Sequence, residues 1–331
     1  MRALQATAVG GPEVLMWAEV PEPTPAPGEI KMRVLANAVN WSDVLEREGR
    51  YPGGPTPPFV VGHDIVADVV ELGDGVDRFT IGERVYGCLV DAGGVAEYAV
   101  APASWMHRAP PSLSAVDAAA APSPFFTAEA AITTMAQLTR GQTVLVHAAA
   151  GGFGSAAVQL CRAHGAGLVL ATAGGPEKME PVRSFGADVA IDYLHEDFVE
   201  IVRQATEGRG VDLVVDSVGG DVLAASFDAV APAGKIICVG ATAGRSTPRF
   251  RLHTLFEKDI WVGGFTLGNW IRHHPELIEP IAATVYDLLE TAVLRVIVSR
   301  VFSPLEARQA HVHLQNRRSI GRTVIDFSAP A

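Results

Sequence analysis

From Thr143 onward, short apolar runs alternate with segments in which apolar residues recur at helical spacing. This alternation predicts βαβ units around a buried parallel sheet, because the strands of such a sheet are apolar on both faces. Between the third and fourth of these strands, the segment 198–205 predicts a helix that ends by Gly208. The predicted strands are 143–148, 167–172, 189–193, 212–217, 235–240 and 260–265.

The first hundred or so residues follow a different pattern, in which glycine and proline punctuate short β-rich runs, as in PEPTPAPG and YPGGPTPP. This predicts an irregular, mostly antiparallel β domain. The alanine-rich segment 113–139, interrupted by Pro122 and Pro124, predicts helices that join two domains. The stretch 296–327 returns to strand, helix and strand, and we expect it to pack on the first domain.

The length of 331 residues exceeds the usual size of one compact core, so two domains are expected. We predict an α/β protein with a β domain at 1–120 and 295–331 and a doubly wound parallel sheet at 121–294. A hydrophobic content of 48% and a charged content of 19% are typical of a globular chain, so no segment needs to be unfolded.

Charge, cysteine content and the amino-terminal sequence indicate which partners and which cellular compartment to expect. A net charge of -11 without a Lys- or Arg-rich run disfavours nucleic acid and anionic membranes. Cys88, Cys161 and Cys238 are far apart and odd in number, which disfavours a disulfide framework and favours a reducing compartment. The opening ALQATAVGGPE lacks the apolar run of a signal peptide, and no 18 apolar residues run together. We expect a soluble, cytoplasmic protein.

The segment VLVHAAAGGFGSAAVQL places a strand, a glycine-rich turn at Gly151, Gly152 and Gly154, and a helix in succession. Small residues let the backbone approach a pyrophosphate, whose charge the helix N-terminus stabilises. Ala149 stands where the usual GxGxxG has its first glycine. A tight turn without a ligand is the alternative, but the surrounding alternation of strands and helices favours dinucleotide binding.

The end of the second predicted strand indicates which dinucleotide binds. An NAD enzyme usually offers an acid there to the ribose hydroxyls, whereas this chain has Ala171 to Gly175 followed by Glu177 and Lys178. Lys178 alone is compatible with a solvated lysine at a helix start. Together with the missing acid it favours a 2'-phosphate and therefore NADPH.

Motifs in a fixed order along nearly the whole chain show a family resemblance: ANAVNWSDVLEREGRYP, PFVVGHDIVADVVELGDGVDRFTIGERVYG, GGVAEYAV, HAAAGGFGSAAVQL, FGADVAIDYLHEDF, GRGVDLVVDSVGGD and GKIICVG. The chain resembles the zinc-free quinone oxidoreductase (zeta-crystallin-like) branch of the medium-chain dehydrogenase/reductase superfamily. The resemblance implies an NADPH-dependent oxidoreductase with a GroES-like β domain and a Rossmann domain. It also implies an active site in the cleft between these domains and a homodimer paired through the Rossmann sheet.

The resemblance also assigns site residues. The catalytic positions facing the nicotinamide and substrate are Asn40, Tyr51 and Thr127. Trp41 replaces the proline of the family's NPxD, which puts the shape of that loop in question. For the third contact with the cofactor phosphate, Arg318 is an alternative to Arg317. The implied cofactor-binding residues are Gly151, Gly152, Phe153, Gly154, Lys178, Tyr193, Val218, Gly240, Ala241, Phe265, Leu267 and Arg317.

Whether the chain could bind a catalytic zinc depends on whether it has the ligands that zinc requires. Zinc enzymes of the superfamily use two cysteines and the histidine of a GHE motif, of which Gly62, His63 and Asp64 keep a part. Asn40 occupies the first cysteine position and the second falls near Ser123, so the three protein ligands of a catalytic zinc are not expected. We predict no metal and interpret His63 as a cleft or packing residue.

Without a metal to polarise a carbonyl, alcohol oxidation is disfavoured and reduction of a conjugated acceptor is favoured. We therefore predict metal-independent hydride transfer from NADPH to a quinone or an α,β-unsaturated carbonyl. The alternatives are enoyl-thioester reduction in lipid or polyketide metabolism and a non-catalytic NADPH-binding protein. Tyr51 either donates a hydrogen bond or proton to the acceptor or only packs against it, since an ordinary phenol is a poor acid at neutral pH.

Overall fold

A computed structural model describes residues 1–243 and 252–328. The chain forms two compact units, one of Met1–Ser123 with Trp270–Ala331 and the other of Pro124–Asn269. The domain limits expected from the sequence, 120 and 294, stay a prediction; the compact units change over at Ser123 and Trp270.

The amino-terminal part of the first unit is built mainly of antiparallel strands. Strands β2, β1 and β4 form one small sheet, and β3 pairs with β5 and β7, β5 with β6, and β6 with β8, all antiparallel. The predicted antiparallel β domain is therefore confirmed. Its elements are β1 (Arg2–Ala6), β2 (Leu15–Glu19), β3 (Glu29–Val39), α1 (Trp41–Arg47), β4 (Phe59–Val60), β5 (Asp64–Leu72), β6 (Arg84–Cys88), β7 (Tyr98–Pro102), β8 (Met106–Arg108) and α2 (Ala115–Ala120).

The second unit is a parallel sheet in the order β11-β10-β9-β12-β13-β14, the doubly wound arrangement predicted from the sequence. A π-helix, Ala130–Met135, follows α3. Helix α3 begins two residues before this unit, and helix α9 begins in this unit and ends in the first. The elements are α3 (Pro122–Glu129), β9 (Thr143–Val146), α4 (Gly152–Ala163), β10 (Leu168–Ala173), α5 (Met179–Ser184), β11 (Val189–Asp192), α6 (Phe198–Ala205), β12 (Val211–Asp216), α7 (Gly220–Ala229), β13 (Val230–Cys238), α8 (Leu252–Glu257), β14 (Trp261–Gly264) and α9 (Leu267–His273).

The predicted strand bounds agree with these elements to within two residues, except at the start of β13. We expected it to begin at 235, but it begins at Val230, which pairs with Val211 before the register shifts. Helix α6 begins after Asp197, whose carboxylate accepts hydrogen bonds from two backbone amides of the first turn. Gly208, with φ 84°, follows its end, as the sequence predicted.

The carboxyl-terminal part returns to the first unit through α10 (Pro275–Glu290), β15 (Val298–Phe302), α11 (Ala307–Gln315) and β16 (Arg322–Asp326). Strand β16 pairs antiparallel with β3 and parallel with β15, which confirms the expected strand–helix–strand return. Helix α10 belongs here because Glu279 pairs with Arg78 at 3.3 Å and the Glu290 carboxylate accepts from the Ser112 amide. No helix within residues 1–243 and 252–328 is both long and apolar enough to cross a bilayer.

Candidate active site

The predicted cofactor residues of the second unit follow the carboxyl ends of its parallel strands. They therefore lie along the same side of the sheet, which we call its carboxyl edge. Gly151–Gly154 follow β9, Lys178 follows β10, and Tyr193 follows β11 directly. Val218 comes after β12, Gly240 and Ala241 after β13, and Phe265 and Leu267 after β14. The order of the strands reverses between β9 and β12, where open α/β sheets bind their ligands.

The glycine turn is compact because backbone packs directly on backbone. A Cβ on Gly154 would lie 2.3 Å from the Ala148 carbonyl oxygen and 2.5 Å from the Ala149 Cα. Ala148 itself takes the left-handed conformation, with φ 53°, and Ala149 is fully buried. The missing first glycine of the fingerprint therefore leaves the turn tight, with Gly151 preceding the first residue of α4.

His147 anchors the strand that leads into this turn. Its Nδ1 lies 3.0 Å from the Thr172 hydroxyl oxygen and its Nε2 lies 3.0 Å from the Ser226 hydroxyl oxygen. Complete burial lowers the pKa of His147 to about 3, so the ring is neutral at physiological pH. It therefore joins three elements without adding charge beneath the turn.

The ribose end of the edge contains Lys178 and Tyr193. A Cβ on Gly174 would lie 2.7 Å from the Tyr193 hydroxyl oxygen, so the phenol of this half-exposed tyrosine rests directly against the turn. Lys178 is 9% exposed, which rules out the solvated lysine that the sequence left open. A buried cation and a phenol thus accompany a strand end at which no acid precedes Glu177.

Two further loops at the same edge are held by Asp216. Its buried carboxylate accepts hydrogen bonds from the amides of Val218 and Gly219. The Thr242 amide donates to the Ser217 carbonyl, and a Cβ on Gly240 would lie 3.0 Å from that oxygen. The backbone near Val218 and Gly240 is therefore fixed before any ligand binds.

In the first unit, the segment that we expected to be a loop is a helix. Asn40 is the N-cap of α1, and the Asp43 carboxylate accepts from the Asn40 amide at 2.6 Å. Trp41 occupies the first helical position, where the family's proline would also fit. The substitution of the proline therefore preserves the helix start.

Arg322 of β16 connects Asn40 to the strand after the GHD motif. Its guanidinium donates to Asn40 Oδ1 at 2.7 Å and to Asp64 Oδ2 at 2.6 Å, and Asp64 is completely buried. Ser123 donates to the other oxygen of Asp64. The Asn40 Nδ2 group is buried and has no acceptor among the described residues, although the side chain is 9% exposed. A ligand oxygen is the natural partner for such a donor.

His63 is hydrogen-bonded at both ring nitrogens. Nδ1 lies 2.6 Å from the Leu89 carbonyl oxygen, and Nε2 lies 2.8 Å from Glu46 Oε2. Because a carbonyl only accepts, Nδ1 carries a proton and a further proton lies between Nε2 and Glu46. Burial opposes a charge on the ring, but the Glu46 hydrogen bond and the charges of Asp43 and Glu46 outweigh it and raise the pKa of His63 to about 10. Burial raises the pKa of Asp43 to about 6.

These same residues form a group that could offer a metal ion three ligand atoms, all within 4.8 Å of one another. We missed Asp43 and Glu46 in the sequence, although their spacing of three places them on one helix face behind Asn40. The 2.8 Å between Nε2 and Oε2 is a hydrogen-bond length, shorter than the roughly 3.4 Å between two ligands of a tetrahedral zinc. The arrangement fits a shared proton better than a metal.

The remaining predicted residues lie in different elements. Tyr51 is half-buried in the turn after α1, and burial, followed by the charge of Glu46, raises the pKa of its phenol. The Arg317 guanidinium lies over the Trp41 ring, 5.6 Å from its centroid. Thr127 is half-buried in α3, in the second compact unit.

Comparison with known proteins gives two family matches and close relatives over the full chain. Residues 26–111 match an alcohol dehydrogenase GroES-like domain, and residues 152–283 match a zinc-binding dehydrogenase domain. A 2-haloacrylate reductase of a Burkholderia species is 34% identical over 96% of each chain. A quinone oxidoreductase of Pseudomonas aeruginosa is 33% identical over 98% of this chain and 99% of the relative. The Escherichia coli quinone oxidoreductase solved with NADPH superposes with a TM-score of 0.92 at 28% identity, over 98% of this chain and 100% of that one.

The glycine turn provides a matched pair of variants. In Gly154→Ala the new methyl meets backbone and the turn must shift, whereas in Gly151→Ala it would lie 3.4 Å from the Ala148 carbonyl oxygen, an ordinary contact. We expect Gly154→Ala to weaken NADPH binding about 10- to 100-fold, the equivalent of roughly 1–3 kcal/mol of steric strain. Gly151→Ala should change the calorimetric Kd by much less, and equal losses in both variants would contradict the packing argument.

Proposed function

The chain belongs to the quinone oxidoreductase branch of the medium-chain dehydrogenase/reductase superfamily, and from that membership we propose that it reduces quinones or α,β-unsaturated carbonyls with NADPH. The observation that carries this proposal is the arrangement at the carboxyl edge of the sheet in the second unit, where Lys178 is buried and Tyr193 rests against Gly174. A conjugated acceptor also agrees with the activities for which the two relatives are named.

For the cofactor, the amino terminus of α4 is the site for the pyrophosphate, because its free amides and positive dipole end stabilise anions. Lys178 is the partner for the 2'-phosphate, with Tyr193 beside the ribose and Arg317 as the third contact. Gly151, Gly152, Phe153 and Gly154 line the pyrophosphate. The backbone at Val218, Gly240, Ala241, Phe265 and Leu267 lines the nicotinamide half.

Bound NADPH supplies a hydride, and the residues of this chain place and neutralise the charge that the hydride creates. Addition at the β carbon moves negative charge to the acceptor oxygen. The buried Nδ2 donor of Asn40, held from behind by Arg322, is oriented without cost at the moment of reaction. Tyr51 and Thr127 complete the contacts to the acceptor. No step passes through zinc, since the Glu46–His63 distance fits a proton.

The acceptor class is tested by following NADPH oxidation with quinones, enones and enoyl thioesters while product masses are recorded. We expect turnover with quinones or enones and products that are heavier by two hydrogens. Dominant turnover of enoyl thioesters would reassign the chain to that reaction. An absence of NADPH consumption with every acceptor would leave only a binding role and overturn the proposal.

The preference for NADPH should depend on the charge of Lys178. A charge-assisted contact to phosphate contributes roughly 1.5–3 kcal/mol, which corresponds to at least about tenfold tighter binding of NADPH than of NADH. Lys178→Ala should remove most of this preference, and Lys178→Arg should retain it. Calorimetric titration of both cofactors measures the ratio, and equal Kd values in the unsubstituted protein would exclude a phosphate contact.

Tyr51→Phe separates the two roles that the sequence left open for this residue. If the hydroxyl stabilises developing charge, kcat should fall about 10- to 1,000-fold while the Kd for NADPH is unchanged. Tyr98→Phe, in strand β7 of the same unit, is the control and should keep full activity. Retained kcat in Tyr51→Phe, with a raised KM in Tyr51→Ala, would show that the ring only packs.

We also propose a homodimer paired through β14, which ends the sheet among the described residues. Trp261 and Val262 on this strand are 45% and 39% exposed, so apolar side chains accompany the open hydrogen-bonding edge. The same edge of a second copy would satisfy it by two-fold symmetry. The cytoplasmic location stays a prediction that agrees with three free cysteines.

Light scattering should report twice the chain mass of 34.9 kDa. Val262→Lys should shift the protein toward monomer, because it places a charge on the pairing edge. Val301→Lys is the matched control, since Val301 is an exposed valine in the edge strand β15 of the other unit. A monomer whose mass does not change with concentration would refute the dimer.

A further inference from the structure

The Glu46–His63 pair is a buried acid and base that hold one proton between them. Both ring nitrogens of His63 are committed, one to a carbonyl oxygen and one to a carboxylate oxygen. Glu46 and His63 are 5% and 7% exposed, so water does not compete strongly for this proton. The proposed hydride transfer consumes one proton for each turnover, and the site must supply that proton.

The charged groups around the pair explain why it retains the proton. On α1, Asp43 Oδ1 lies 3.9 Å from His63 Nε2 and accepts from the Gly62 amide. On β5, Asp64 is neutralised by Arg322 of β16, and on β6 the burial of Cys88 raises the pKa of its thiol and keeps it neutral. Without the shared proton, the carboxylates of Glu46 and Asp43 would both lie within 4 Å of the same ring nitrogen, Nε2, with no positive charge on the ring. The surroundings therefore favour the protonated pair.

Tyr51 lies next to this pair. A Cβ on Gly54 would lie 3.3 Å from the Tyr51 Cβ and 3.4 Å from the Glu46 Cγ, so the two side chains flank the same glycine. The charge of Glu46 also reaches the phenol and contributes to its raised pKa. A phenol in this position holds its proton tightly, and its phenolate would be strongly basic until another acid reprotonated it.

We propose that the Glu46–His63 pair is the proton reserve of the reduction and reprotonates Tyr51 after each hydride transfer. This inference rests on the proposed function. With bound NADPH supplying the hydride and its two electrons to the β carbon or quinone ring, the Tyr51 hydroxyl would give its proton to the enolate or quinolate oxygen. The imidazolium proton then passes along Glu46 to the phenolate, and His63 takes a proton from solvent. The sum is acceptor, NADPH and one proton giving reduced acceptor and NADP⁺.

The test is the pH dependence of kcat in Glu46→Gln, which removes the carboxylate and keeps a hydrogen-bonding side chain. In the unsubstituted protein the reserve is filled up to a pH near the His63 pKa of about 10, so kcat falls only as pH rises toward that value. In the variant, the effect of burial on the His63 pKa is opposed only by the charge of Asp43 and the hydrogen bond to the Leu89 carbonyl, so the reserve empties at lower pH. We expect kcat to fall about 10- to 100-fold at neutral pH, with the alkaline limb shifted down by about two pH units.

Glu129→Gln is the matched control, because Glu129 and His164 form a pair of the same kind, 2.7 Å apart, in the second unit. Its pH profile should equal that of the unsubstituted protein. The solvent isotope effect on kcat should rise in Glu46→Gln only, since proton delivery then limits turnover. A uniform loss of kcat in Glu46→Gln, with an unmoved alkaline limb and no change in isotope effect, would mean that the pair only supports the fold and would overturn the proposal.

A second measurement requires no turnover and leaves Glu46, His63 and Tyr51 unchanged. The ¹⁵N ring signals of the 10 histidines, followed by pH titration of the unsubstituted protein, should include one that stays doubly protonated above pH 9. Glu129→Gln identifies the signal of His164, which also has a raised pKa. If every histidine loses its proton below about pH 8, or if one zinc per chain occupies the cluster, the reserve does not exist. If the titration succeeds and no acceptor oxidises NADPH, the proposed function alone has failed.

Discussion

The buried ion pair between Arg322 and Asp64 is the interaction on which the candidate site in the first unit depends. It joins the last strand of the chain to the strand that follows the GHD motif, and the same guanidinium orients Asn40. Asp64 is completely buried, and a carboxylate in such a place is tolerated only with a cation and hydrogen bonds around it. The return of the chain to the first unit through β16 therefore places a cation beside Asp64 in addition to adding a strand to the sheet.

The same requirement organises the charges next to Asp64. The Asp43 carboxylate accepts hydrogen bonds from the backbone amides of Asn40 and Gly62, and the Glu46 carboxylate is paired with His63. Each buried charge in this group is thus compensated within a few ångströms, and the compensation of His63 takes the form of a proton shared with Glu46. Asp43, Glu46 and His63 are residue types that often bind metals, but here hydrogen bonds within the protein already satisfy their side chains.

The second unit relies on a different constraint, the close approach of backbone segments at the carboxyl edge of its sheet. A Cβ on Gly154 would overlap the backbone at Ala148, and a Cβ on Gly240 would lie only 3.0 Å from the Ser217 carbonyl oxygen. These contacts fix the loops around the place where α4 presents its free amides. The fixed loops, the positive end of the α4 dipole and the buried Lys178 are the features that support the proposed binding of an extended anionic ligand at this edge.

The sequence by itself determined the parallel sheet, since apolar runs alternating with helical periodicity are a local signal that tertiary contacts need not supply. It also determined the glycine turn, the carboxyl-terminal return and the family, because each is written in contiguous residues. Only the tertiary structure decided that the NWSD segment is a helix start, that Lys178 is buried, and that Asp43, Glu46 and His63 meet. Glu46 and His63 lie 17 positions apart in the chain, and Arg322 lies 258 positions from Asp64. Periodicity carries no information about such distances, because long-range contacts between polar side chains depend on how separate elements pack.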